Sequence, residues 1–223
     1  NDLKRYDLLG FDTETRPSFR AGVSYKVGLL QLSTPDTCYL FRLSHIRLDN
    51  RILKILGSRQ ILKIGADVTG DIRALHALRN FHADGFVDLQ VEASRWGIEE
   101  KSLRKLSAIV LGERVSKAQR LSNWEAGVLT EQQRDYAATD AWVCIKILEE
   151  LQRTTPADEK PLTIISATGQ QPQKTTKRRD HRSAATTETH KEHTATEEKR
   201  LKPQRARRWW RKPNKNKEAN TAK

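Results

Sequence analysis

The chain has 223 residues, with 41 Lys+Arg against 28 Asp+Glu, a net charge of +13, and two cysteines. No run approaches the roughly 18 consecutive apolar residues of a membrane span, and the opening Asn1-Asp2-Leu3-Lys4-Arg5-Tyr6 is not a signal peptide. Cys38 and Cys144 offer neither a metal spacing nor a disulfide framework, so a reducing, cytoplasmic setting with no membrane partner and no obligate protein partner is expected.

Charge is unevenly spread. Residues 1–153 hold 23 Lys+Arg against 20 Asp+Glu with apolar residues throughout, whereas residues 154–223 hold 18 against 8 and almost no aliphatic clusters. A segment of the second kind buries too little surface to offset the entropy of ordering it. The expected organisation is one domain over 1–153 and a disordered basic tail over 154–223. The chain contains no methionine, which predicts a fragment or processed form with its true N-terminus upstream.

In chain order, Asp7-Leu8-Leu9-Gly10-Phe11 is a short apolar run ended by polar residues and Pro17, the pattern of a buried central strand carrying Asp12 and Glu14 at its C-terminal end. Val27 to Leu32 and Cys38 to Leu43 are strand-like and flank the turn signal Ser33-Thr34-Pro35-Asp36, so a hairpin is expected. Asp49 to Leu56 reads as a helix stopped by Gly57. Ile61 to Gly65 reads as a strand, and Asp71 to Leu78 as a helix with Ile72, Leu75 and Leu78 on one face. Phe86-Val87-Asp88-Leu89 is a brief strand entering a helix over Gln90 to Trp96, and Ser102 to Leu111 is an amphipathic helix stopped by Gly112. Thr130 with Gln133 forms the N-cap and first turn of a long helix to about Gln152. Strands first, then strand and helix alternating, then helices describe an α/β domain with a mixed central sheet flanked by helices. There is no internal repeat and no Gly-rich phosphate loop.

Three acidic clusters stand out against this frame. Asp12 and Glu14 are two apart, so on a strand both carboxylates share a face. Two anions ending a buried strand repel unless a cation neutralises them; a solvated turn is the plainer reading. Asp71, expected at a helix start, reads either as a functional acid or as a capping residue, with Asp67 as its rival. Tyr136 and Asp140, at i and i+4, share a helical face, where they serve a common partner or simply meet solvent.

The order Phe11-Asp12-Thr13-Glu14-Thr15, then Gly70-Asp71-Ile72-Arg73-Ala74-Leu75 behind a strand, then Tyr136-Ala137-Ala138-Thr139-Asp140-Ala141 resembles the three motifs of the DEDD superfamily of 3′–5′ exonucleases, tyrosine subclass. The likeness is strongest to ribonuclease D and Werner-type exonuclease domains, bacterial ones included. Phe86 to Leu89, Ser102-Leu103 with Leu106, and Leu121 to Glu125 ahead of Leu129-Thr130-Glu131 look like further family segments, so the resemblance spans about residues 7–152. The other subclass carries a histidine five before the last acid, where this chain has Asp135.

The resemblance implies a ribonuclease H-like exonuclease fold with a five-stranded mixed sheet. It implies Asp12, Glu14, Asp71 and Asp140 as catalytic metal ligands and Tyr136 as the fifth catalytic residue, with Asp71 chosen over Asp67 because it follows Gly70. Oxygen ligands alone point to Mg²⁺ or Mn²⁺, two ions per site. One ion activates water and the other stabilises the leaving 3′ oxygen. Asp12 bridges both, Glu14 and Asp140 complete the nucleophile-side ion, and Asp71 supports the second. Tyr136, with a reference pKa of about 10, orients the water. The implied activity is release of nucleoside 5′-monophosphates from the 3′ end of DNA or RNA.

Substrate contacts are expected at Thr13, Lys117 and Arg120, the last two in a loop that is otherwise simply solvated. Trp124 reads as substrate-lining or as packing, and His76 as structural or exposed. In the tail, Lys177-Arg178-Arg179 and Arg205 to Lys212, with Trp209 and Trp210, form a basic arm for salt-sensitive nucleic-acid contacts or a solubilising extension. Two other functions stay open. One is a catalytically silent nucleic-acid-binding module; the other is a scaffold that binds no metal.

Overall fold

The computed structural model describes residues 2–169. Its centre is β1 (Leu8–Thr15), whose alternation splits the strand between two environments. Leu9 and Phe11 enter an apolar core on one face, while Gly10 lies against a helix on the other. β2 (Val27–Ser33) is buried along its whole length and pairs antiparallel with β1, and β3 (Cys38–Phe41) returns beside it as the expected hairpin. β4 (Leu62–Gly65) and β5 (His82–Asp88) continue the sheet in parallel on the other side of β1. β6 (Ile165–Thr168) closes it antiparallel to β5, giving the order β3-β2-β1-β4-β5-β6.

Helices cover both faces. α1 (Asn50–Leu56) and α2 (Val68–His76) pack through Ile52, Ile55, Ile72 and Leu75 onto Leu9, Phe11, Leu30 and Leu32. α3 (Leu89–Glu92), α4 (Leu103–Val110) and α5 (Glu131–Gln152) enclose a second core of Ile64, Val87, Leu106, Val143, Ile147 and Leu148. Single turns of 3-10 helix at Asp2–Arg5 and Ala93–Trp96 complete the set. The Asp49 side chain caps α1 through the amides of Arg51 and Ile52, and Thr130 and Gln133 close a capping box on α5.

Two expectations change. α2 begins at Val68, so Asp71 sits within its first turn. Asp67 occupies the N-cap in left-handed geometry, φ 63°, with no side-chain bond to the helix, a conformation that Asp tolerates better than most residues. The capping is done from outside: the Asp88 carboxylate, at the end of β5, accepts from the amides of Asp67, Val68 and Gln90. That leaves Asp71 free of the capping role.

The second change is at the domain's end. Residues 154–169, expected in the disordered tail, lie on the domain and add the sixth strand, with Ala83 opposite Ala167 and Phe86 opposite Ile165. The buried Glu92 accepts from Arg95 and from the backbone amide of Thr163, while Arg95 also donates to Asp158. Leu162, Ile164 and Ile165 are too few to fold alone, but against a preformed edge and core they meet apolar surface and open ladder groups. The rest of the expected tail, including Lys177-Arg178-Arg179 and the cluster Arg205 to Lys212, lies outside the described residues.

Candidate functional site

The site forms where β1 ends between the two helical layers. Asp12 and Glu14 follow Gly10 on the face toward α5, and Thr13 faces α2. The register with β2 shifts between Glu14 and Thr15, leaving Gly28 without a partner just past the two acids.

α5 comes unusually close to this strand. A Cβ at Gly10 would stand 1.9 Å from the carbonyl oxygen of Ala141, so only glycine permits the approach. One residue earlier on α5, Asp140 is thereby delivered to the acids of β1. Asp12, Glu14 and Asp140 each offer a carboxylate oxygen, and these atoms lie within 4.8 Å of one another. Glu14 and Asp140 are each only 8% exposed.

Asp71 joins from the other layer. Its Oδ1 accepts from the Thr13 hydroxyl at 2.5 Å, so the residue between the two acids of β1 holds the acid of α2. Tyr136, one turn before Asp140, packs beside the buried Trp124, ring centroids 6.0 Å apart. Trp124 also fills the space above Gly28, and it belongs to a small core with Leu29, Leu129 and Ala137. Packing, rather than lining a path, is its visible role.

The electrostatics follow first from burying these acids and then from their neighbours' charges. Asp12 is held well above the ordinary carboxylate range by burial, then by the charges of Asp71, Glu14 and Asp140. Burial, with Asp140 and Asp71 adding, pushes Glu14 up to about 8. Burial also raises Asp71 to about 7, against the stabilising Thr13 hydroxyl, and Asp140 to about 6, against the neighbouring Tyr136 hydroxyl. The Tyr136 phenol is driven upward by burial and by the Asp140 and Glu14 carboxylates. Such a set of buried oxygen donors, mutually repelling and with no cation among the side chains that gather it, fits a hard divalent ion.

A cleft of about 320 Å³ opens beside Tyr136 and Asp140, lined also by Ser116, Ala118, Gln119 and Asp135 among others. Lys117 and Arg120 are exposed on the loop that walls it, and Ser116, Ala118 and Gln119 form the lining between and beside them. His76 is structural, its Nε2 3.0 Å from the carbonyl of Phe81.

Two residues were not singled out in the sequence. Asp88, which anchors the start of α2 and so the helix carrying Asp71, was visible only as part of a strand. Gln31 is fully buried and paired in register with Asp12. A lone amide in the apolar run Val27-Gly28-Leu29-Leu30-Gln31-Leu32 was its signal.

The chain is similar to several known proteins. The family described as 3′-5′ exonuclease matches residues 1–156. The mouse bifunctional 3′-5′ exonuclease/ATP-dependent helicase WRN is 36% identical over 153 residues, covering 65% of this chain and 11% of that protein. The Drosophila melanogaster exonuclease 3′-5′ domain-containing protein 2 is 32% identical over 157 residues, covering 69% of this chain and 27% of that protein. The chain thus spans about a tenth and a quarter of these relatives' lengths. Among solved structures, Brucella melitensis NrnC with bound Mg²⁺ shares the fold at a TM-score of 0.58 and 21% identity, over 68% of this chain and 75% of that one.

Proposed function

Because the chain belongs to the 3′-5′ exonuclease family, we propose that it is a metal-dependent 3′–5′ exonuclease, hydrolysing DNA or RNA from the 3′ end to nucleoside 5′-monophosphates. The observation that carries this reading is the convergence of Asp12, Glu14 and Asp140 within 4.8 Å, with Asp71 tied to the same strand through Thr13. The Mg²⁺ bound in the Brucella structure supports the choice of ion.

Asp12, Glu14, Asp71 and Asp140 are the residues that would hold two Mg²⁺ or Mn²⁺ ions. Bound there, a pair of divalent ions supplies the acidity that activates a water and the positive charge that stabilises a leaving 3′ oxygen. Asp12 feels the charges of Asp71, Glu14 and Asp140, acids from β1 and both helical layers, and would be shared by whatever ions bind there. Thr13, by donating to Asp71, keeps that carboxylate turned toward β1. Tyr136, a weak acid that burial and then the neighbouring carboxylates make weaker still, would donate a hydrogen bond that orients the attacking water rather than take a proton from it. Lys117 and Arg120, exposed at the cleft wall, meet the phosphates of the substrate strand.

The test is a panel of labelled single-stranded and recessed DNA and RNA oligonucleotides, digested with Mg²⁺ or Mn²⁺ by the native chain and by Asp12→Ala. Ladder-wise shortening from the 3′ end by the native chain alone is expected. Equal shortening by Asp12→Ala removes the assigned site, and binding without turnover in either metal favours the silent-module reading.

A further inference from the structure

We propose that Gln31 is a positioning residue for Asp12, its side-chain amide turning to donate to that carboxylate once the metal site is loaded. This rests on the metal-site reading above and goes beyond it, because Gln31 supplies no ligand.

Burying Gln31 carries an unusual cost. Gln31 is 0% exposed, and among the described residues neither its Nε2 nor its Oε1 has a hydrogen-bond partner. Buried amides are nearly always paired, and an orphan calls for an explanation. Simple packing is a poor one, since the other residues of β2 on both faces are largely apolar and a leucine fills similar space.

Strand register narrows the partner. In the antiparallel β1–β2 pair Gln31 stands directly opposite Asp12, so the two side chains share a face with Cβ atoms about 4.5–5.5 Å apart. Its other neighbours within the sheet present no carboxylate. Leu29 lies two residues before Gln31 and Leu40 is its partner on β3. Ser33 gives its hydroxyl proton to the carbonyl of Thr34. Asp12 remains as the acceptor that strand geometry presents.

The chemistry suits an amide. A carboxylate shared between two cations must be held in one orientation, and ligand orientation is commonly set by a hydrogen bond from outside the metal shell. An ammonium or guanidinium in this place would compete with the cations for the same charge. A neutral N–H donor orients Asp12 without that competition.

The structure therefore assigns opposite signs to two measurements on the full chain. Gln31→Leu removes an unpaired buried amide, so the metal-free protein is expected to resist urea as well as the native chain or better. The same change is expected to weaken Mn²⁺ binding, measured by calorimetry, by 10- to 100-fold. A residue with a merely structural role gives the reverse, lower metal-free stability with Mn²⁺ affinity intact, and that result overturns the proposal. Gln31→Met, unbranched and of similar length, carries the same expectation, and failure of both variants to fold also overturns it. If the native chain binds Mn²⁺ and Gln31→Leu binds it equally well, only the role of Gln31 falls; if the native chain binds none, the metal-site reading falls with it.

Discussion

At the scale of single residues, the site works by placing charges where they are costly without a cation. Glu14, Asp71 and Asp140 have ordinary values of 4.5, 3.8 and 3.8 and rise in the fold to about 8, 7 and 6. Folded, these carboxyls keep protons that the unfolded chain has already released, so they stabilise the metal-free fold at low pH and lose that contribution as pH climbs through the raised values. The melting temperature in chelator is expected to fall by several degrees between about pH 5 and about pH 8, and excess Mg²⁺ or Mn²⁺ to reverse the decline by replacing the protons. A melting temperature in chelator that rises across the window contradicts the assignment. The phenol makes a separate prediction. With its proton held, Tyr136→Phe removes a hydrogen bond and not a base, so turnover should drop on the order of 10²-fold while Mn²⁺ affinity stays near native. Comparing single-turnover rates with calorimetry separates the two, and a loss of metal affinity as large as the loss of rate counts against a positioning role.

At the scale of elements, the acids meet because β1 and two helices from opposite layers converge at one strand end. Asp12 and Glu14 were legible in the sequence as a same-face pair, because strand periodicity is local. So were the cap of α5 by Thr130 and Gln133 and the i, i+4 pairing of Tyr136 with Asp140. The closeness of α5 to β1 was not legible. It depends on Gly10 facing the Ala141 carbonyl, and a glycine in an apolar run reads the same whether it faces a helix or a void. Gly10→Ala is therefore expected to cost ~3 kcal/mol by forcing α5 outward, and to reduce activity further by separating Asp140 from Asp12. Thermal unfolding together with activity well below the melting temperature checks both parts; an unchanged melting temperature argues against the close approach. The start of α2 was misplaced for a similar reason. Its cap comes from Asp88, 20 residues away from Val68, and local sequence carries no trace of it.

At the scale of the whole molecule, the sheet runs one strand further than composition suggests. Polar residues 154–163 lead into β6, and the Glu92–Arg95–Asp158 contacts hold that passage to the domain. A chain ending at Gln152 is expected to unfold several degrees below one ending at Gly169, because it exposes the edge of β5 and leaves Glu92 with one partner fewer. The chain ending at Gly169 should match the full chain in unfolding and in cleavage of a saturating oligonucleotide. It should bind nucleic acid more weakly at low salt if the basic arm beyond it adds phosphate contacts, and equal affinity in a filter-binding salt series removes that role. No helix among the described residues is long and apolar enough to cross a membrane. What the amino-acid order determined by itself was the inventory: which acids and which phenol, on strands or helices of which period, in a sequence matching one family. That information is local, carried by spacing and side-chain type. The tertiary structure alone decided which acids converge, that Asp71 is tied to β1 through Thr13, that Gln31 stands opposite Asp12, and that residues 165–168 complete the sheet. Each of these depends on contacts between residues far apart in the chain, where register and close packing set the geometry.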